Sequence, residues 1–153
     1  GWKEVAATIP PSAVVRVFQS KGWALTPAGI FRADDSGFAP VGPPAPWKGQ
    51  PTGFWVGDDG AIAVADAQAD AIHRLDAGSS TWSKERSPIA HPRDVAGPAG
   101  DRWVCGDGGL AHGEGPHWSR LGASGLRLGR WISTPGGGLV AGQSGVFAAR
   151  KLQ

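Results

Sequence analysis

Asp101-Arg102-Trp103-Val104-Cys105-Gly106-Asp107-Gly108-Gly109-Leu110-Ala111-His112 is the stretch that decides the fold. Its first apolar run, Trp103-Val104-Cys105, meets a glycine-rich turn and then a second apolar triplet, Gly109-Leu110-Ala111. Two short apolar runs joined by a tight glycine turn specify a β-hairpin. An aromatic, Trp118, follows after a polar turn. The same order recurs along the chain. Gly29-Ile30-Phe31 leads to Phe38, Ala71-Ile72-His73 leads to Trp82, and Gly145-Val146-Phe147 runs to the C-terminal end. The aromatic missing from that last unit is Trp2. The first strand of the hairpin begins six residues before its glycine in three units, at Trp23, Trp103 and Leu139. The second unit, Ala61-Ile62-Ala63-Val64, has a longer turn, Ala65 to Asp70.

Successive aromatics lie 36, 44 and 36 residues apart, and 37 when the count is carried through the two termini. A repeat of this length that keeps its phase across the chain ends specifies a ring of four-stranded units, a β-propeller. Each unit reads as strands A to D. Strand A is expected at 14–18, 52–56, 93–96 and 129–133, and small turns lead from A to B at 20–22, 58–60, 98–100 and 135–137. Strand D is expected at 38–41, 82–85, 118–121 and 2–5, with proline-rich links to the next strand A in three of the four cases. The expected organisation is one all-β domain over 1–153. Its four blades cover about 13–41, 52–85, 93–121, and 128–153 with 1–6, the N-terminal strand completing the last blade. Such closure removes the free sheet edge that would invite aggregation.

Composition agrees. The chain has 153 residues, enough for one domain with a real core. Its 25 Gly and 13 Pro would point to disorder if apolar residues were scarce, but these make up 41%. They fall in short runs between glycines, as many short strands require. The longest uninterrupted hydrophobic run, Ala61 to Ala65, is too short to span a bilayer. A net charge of +2 without a Lys/Arg run gives no nucleic-acid footprint. One cysteine excludes an internal disulfide framework. The absence of Met and a first residue of Gly read as a processed product, a trimmed form or a piece of a longer chain. The compartment is left open, an exported location being slightly favoured over the cytosol.

The stretches Pro11 to Leu25 and Asp101 to His112 resemble two related repeat families. These are the photosystem II assembly factor-like propellers and the wider BNR or Asp-box repeats. Asp76-Ala77-Gly78 before Trp82 and Asp35-Ser36-Gly37-Phe38 are partial Asp-box turns, whereas Gly113-Glu114-Gly115 lacks the Asp. The resemblance implies that these turns brace the outer strands. It also implies rings of six or more blades, so four units make either an unusual four-bladed ring or half of a larger one. A second copy or another chain would complete the latter, as a homo-oligomer or a hetero-complex.

The repeated aromatics Trp2, Phe38, Trp82 and Trp118 read as inter-blade packing, as do Trp23 and Trp103. Trp131 reads the same way. Trp47 and Trp55 break the pattern. Trp47, beside Lys48 in a proline-rich link, is either an exposed binding anchor or packed on its prolines. Basic residues near the strand A entries, Arg16, Lys48, Arg93 and Arg127 or Arg130, would form a positive funnel mouth for a carboxylate, sulfate or phosphate. The alternative is ordinary pairing with Asp94, Asp58 or Asp59. With His91, these residues (Trp47, Lys48, Arg16, Arg93 and Arg127) form the candidate binding set.

A sialidase-like hydrolase needs a Tyr nucleophile, and the chain has no Tyr. The histidines His73, His91, His112 and His117 lack ligand spacing, and the Asp-rich turns lack a calcium-loop pattern. Cys105 reads as a buried small hydrophobe. No cofactor or metal is expected. The sequence therefore points to a non-catalytic binding or assembly propeller with a protein partner. A glycan-binding lectin is the first alternative, and a BNR-type hydrolase is disfavoured.

Overall fold

The structure is a computed structural model, and it describes residues 9–121, 128–134, 137–142 and 145–150. Among the described residues, fifteen strands form four antiparallel sheets, arranged as the blades of a four-blade β-propeller. Blade 1 contains β1 (Val14–Phe18), β2 (Lys21–Thr26), β3 (Gly29–Asp34) and β4 (Gly37–Val41). Blade 2 contains β5 (Gly53–Val56), β6 (Ile62–Asp66), β7 (Ala71–Leu75) and β8 (Ser83–Arg86). Blade 3 contains β9 (Pro92–Ala96), β10 (Arg102–Gly106), β11 (Gly109–Glu114) and β12 (His117–Leu121). Blade 4 contains β13 (Leu128–Thr134), β14 (Gly137–Gly142) and β15 (Gly145–Arg150). Every strand pairs with its sequence neighbour within the blade. The expected strand starts agree with these to within one residue for every described strand of types A, C and D. The proposed closure by Trp2 lies outside the described residues, as does the link 122–125.

The glycine that opens strand C has a conformational cause. Gly29, Gly109 and Gly145 have φ of 145°, 107° and 135°, a region that L side chains rarely adopt. Blade 2 has Ala71 at this position, and its longer turn moves the left-handed residue one place back, to Asp70 at φ 48°. The longer spacing of that unit and its missing glycine are thus one adjustment.

Each blade packs one apolar face against the next. Trp23, Leu25 and Ile30 of blade 1 meet Phe54, Val56, Ile62 and Val64 of blade 2. Ala63, Ala65 and Ile72 on the other face of blade 2 meet Val95, Val104 and Ala111 of blade 3. Trp103, Cys105 and Leu110 then meet Leu128, Trp131 and Val140 of blade 4. The Trp103 and Trp131 rings stack at 4.4 Å. Trp82 packs on the first junction and Trp118 on the second, as expected of the repeated aromatics.

The turn between β1 and β2 differs from expectation. It comprises Gln19 and Ser20, both left-handed at φ 48° and 63°, and Lys21 already belongs to β2. A two-residue hairpin loop of type I′ needs positive φ at both positions, and here non-glycine residues supply it.

Candidate functional site

The inner strands β1, β5, β9 and β13 converge on the axis, and one ion pair ties all four together. The Arg16 Nη1 of β1 donates to Asp94 Oδ1 of β9 at 2.6 Å and to the Phe54 carbonyl of β5 at 2.8 Å. The backbone N–H of Trp131, in β13, donates to Asp94 Oδ2 at 2.7 Å, and that of Val95 donates to Oδ1 at 2.9 Å. Asp94 is fully buried. Burial pushes its carboxyl above the ordinary carboxylate value, while the Arg16 charge and the hydrogen bonds pull it down. Cys105 lies directly across the β9–β10 ladder from Asp94. Burial, reinforced by that carboxylate, pushes its thiol far above the ordinary value, which makes it inert.

Past Arg16, the ends of the same four strands surround a cavity of about 700 Å³. Its apolar wall includes Val17, Phe18, Trp55 and Ile132. Asp58 and Asp59, on the turn after β5, stand on one side, and Arg130 of β13 belongs to another. All three are exposed, and Asp58 and Arg130 have no partner among the described residues. Gln19, in its left-handed turn, also lines the cavity and donates through Nε2 to the Val56 carbonyl at 3.1 Å. Strained backbone of this kind collects at binding and catalytic sites.

The candidate residues fall in different places. Arg16 and Arg130 line the cavity. Arg16 is engaged by Asp94, one of the carboxylates expected as an alternative partner. Lys48, Arg93 and His91 are absent from the cavity wall. Arg93 is the bulged residue of β9, where the ladder shifts between Cys105 and Gly106. A bulge re-aims a side chain. Here it gives Arg93 a paired contact with Asp107, 2.7 Å from Nε to Oδ1. The exposed His91, at φ 48°, donates its backbone N–H to Asp70. Arg127 lies outside the described residues. Of the carboxylates weighed as partners for these basic residues, Asp94 engages Arg16, and Asp58 and Asp59 share the cavity wall with Arg16 and Arg130.

Trp47 is not an exposed anchor. It is 5% exposed and belongs to the first blade junction. Its Nε1 donates to the Thr26 carbonyl at 3.0 Å, and its ring packs edge-on to Trp82 at 5.1 Å. The proline-rich link folds over the junction and seals it. Sequence reading named Asp94 only as an ordinary pairing partner and missed its axial place, along with the two left-handed residues. The ion pair joins positions 78 residues apart, and no local pattern announces it.

No protein-family model matches the sequence, and no curated protein does. Among solved structures, the chain resembles YCF48 bound to a D1 peptide, at 15% identity and a TM-score of 0.69. That match covers 98% of this chain and 54% of the other. It also resembles a streptogramin B lyase structure at 16% identity and a TM-score of 0.61, over 83% of this chain and 46% of that one. Both neighbours are β-propellers. The chain therefore spans about half the length of either.

Proposed function

We propose that this chain is a protein-binding propeller module that holds an extended polypeptide segment in the axial cavity. The cavity's mixed character carries the reading. An apolar wall runs between an acidic pair, Asp58 and Asp59, and a basic residue, Arg130. An extended segment with an apolar centre, a basic side chain towards the acidic pair and an acidic one towards Arg130 complements it. A cavity of about 700 Å³ lies within the usual range for a ligand site. The likeness to YCF48, a propeller solved with a peptide, supports a peptide as the class of ligand. We read the site as binding rather than catalytic, since Asp58, Asp59 and Arg130 stand as separate recognition elements and the ion pair at the cavity, Arg16 with Asp94, is engaged in joining the inner strands. The C–D turns fit as degenerate Asp-box braces. In blade 1 the carboxylate that braces the turn is Asp34, one place before the Asp35 of that pattern: its Oδ1 accepts both the backbone N–H and the hydroxyl of Ser36.

The test is selection from a library of random linear peptides displayed on phage, against the wild type and against Arg130→Glu/Asp58→Lys. Both changes are at exposed positions, and a thermal melt checks the fold. Peptides pairing a basic and an acidic residue across an apolar centre should be enriched on the wild type and lost on the variant. No enrichment, or equal retention by the variant, would sink the proposal.

A further inference from the structure

Six large hydrophobic side chains are exposed among the described residues: Val15, Val17, Leu121, Ile132, Leu139 and Val146. Five of them lie on two sheet faces. The pairing registers place Val15 with Ala24 and Phe31, and Val17 with Gly22, on the face of blade 1 turned away from blade 2. They place Ile132 with Leu139 and Ala148, and Ala141 with Val146, on the face of blade 4 turned away from blade 3.

The repeat shows what these faces are built to meet. Val15, Ala24 and Phe31 occupy the register positions of Val95, Val104 and Ala111, which are the blade 3 half of the second junction. Leu139 and Val146 occupy the positions of Trp103 and Leu110, the blade 3 half of the third junction. All five blade 3 residues are buried, whereas Val15 is 56% and Val146 66% exposed. One end of the blade series thus presents a receiving face, and the other end presents the face that such a surface receives. The blade 1 face carries no charged residue, and on the blade 4 face the strand register places two, Arg130 near one end and Arg150 at the other. Contiguous apolar surface of this kind marks an interface.

We propose that the occupant of both faces is a second copy of this chain. Blade 4 of one copy stacks on blade 1 of its partner, and the partner's blade 4 returns to blade 1 of the first. The contact is head-to-tail, repeats the internal blade junction, and closes with two junctions. Once the first forms, the second is intramolecular, which raises the affinity of the pair well above that of one junction. The scale agrees: the arc superposes over 98% of its length on 54% of a longer propeller chain, so one more arc of equal size completes a ring of that order. Val17 and Ile132 also line the axial cavity, so the second copy would add to its wall.

Sedimentation velocity of the 153-residue chain tests this. The expected species has twice the 15.7 kDa chain mass. A monomer across the accessible concentration range, or an open series of larger oligomers, overturns it. Val15→Lys and Val146→Glu change exposed positions, so each alone should give a folded monomer, checked by circular dichroism. Mixing the two variants should restore dimers. In the mixed pair one junction is wild type, and the other brings the introduced lysine of one copy near the introduced glutamate of its partner. Dimers that persist in either single variant, or a mixture that stays monomeric, refute head-to-tail closure.

Discussion

Replacing Asp94 with Asn tests the idea that one carboxylate holds the four inner strands together. The change keeps the side-chain volume but leaves a single acceptor oxygen in place of two. Arg16 and Val95 address Oδ1, and the Trp131 N–H addresses Oδ2. An amide can satisfy only one side and turns its NH₂ towards the donor on the other. Arg16, whose side chain is 10% exposed, then loses its counter-charge and keeps the Phe54 carbonyl. Breaking a buried pair from one side costs about 3–5 kcal/mol. The retained carbonyl bond places Asp94→Asn near the lower end, about 3 kcal/mol. That is a large part of the roughly 5–15 kcal/mol that holds a domain folded. Urea unfolding followed by tryptophan fluorescence reads it, with Trp131 itself a donor to the carboxylate. Arg16→Met supplies the pH arm. Without Arg16, burial is opposed only by the backbone hydrogen bonds from Trp131 and Val95, and the folded value of Asp94 stays above the unfolded one. The folded variant then holds a proton that the unfolded chain has released. Stability is therefore greatest below the unfolded value and falls as pH rises through the folded one. Arg16→Met should lose stability from acid towards neutral pH more steeply than the wild type. The double variant, with no charge left at the site, should recover part of the loss. A cost below about 1 kcal/mol for Asp94→Asn, well under that of breaking a buried pair, would show that the ion pair is incidental to the stacking of the inner strands.

Gly53→Ala should cost about 2–3 kcal/mol by overpacking. An added Cβ there would overlap the Arg93 carbonyl and the Asp94 carboxylate, forcing β5 away from β9; unfolding midpoints read this, and an unchanged midpoint would contradict the close approach. Asp34 should titrate below the ordinary carboxylate value, chiefly because the Ser36 hydroxyl donates to it. The small stabilisation from that bond is present at neutral pH and fades as pH falls through the lowered value. Ser36→Ala should move the NMR titration midpoint of Asp34 upward, and no movement would remove Ser36 as the cause. Cys105 should resist an aromatic disulfide reagent in the folded protein and react in urea, as its burial and raised thiol value require. Rapid reaction in the native state would mean that the third junction opens.

The strand phase was legible because it rests on local demands. A left-handed residue is needed wherever the B–C hairpin turns, and three glycines at equal offsets mark it. The repeated aromatics mark the outer strands because each blade junction offers the same pocket to fill. Trp47 was ambiguous because its partners, Thr26 and Trp82, lie 21 and 35 residues away. Its burial depends on how the proline-rich link folds over the junction. Gln19 and Ser20 were read one residue too late because neither residue type signals positive φ. Arg93 was legible as a basic residue but not as a bulge, which exists only relative to the partner strand.

Repetition also separates packing residues from the rest. Facing the preceding blade, the B strands carry Val64, Val104 and Val140, and blade 1 has Ala24 at the matching position; all are small, apolar and buried, as the three junctions demand there. On the opposite face, the A strands carry Arg16, Trp55, Ala96 and Ile132 at matching register. Four chemistries at one repeat position mean that the position answers to no shared packing rule. Each sees a different neighbour: Arg16 reaches Asp94, Trp55 touches two junctions, Ala96 is buried in the third, and Ile132 stands exposed at the cavity. The B-strand position is thus fixed by blade stacking, while the A-strand position is free to shape the cavity, with Trp55 and Ala96 serving both. Changes at Asp58 or Arg130 should alter what the cavity accepts and leave the melting temperature within about a degree or two, as expected of exposed positions. The same changes made at Val64 or Val104 would unfold the blades before any effect on binding could be read.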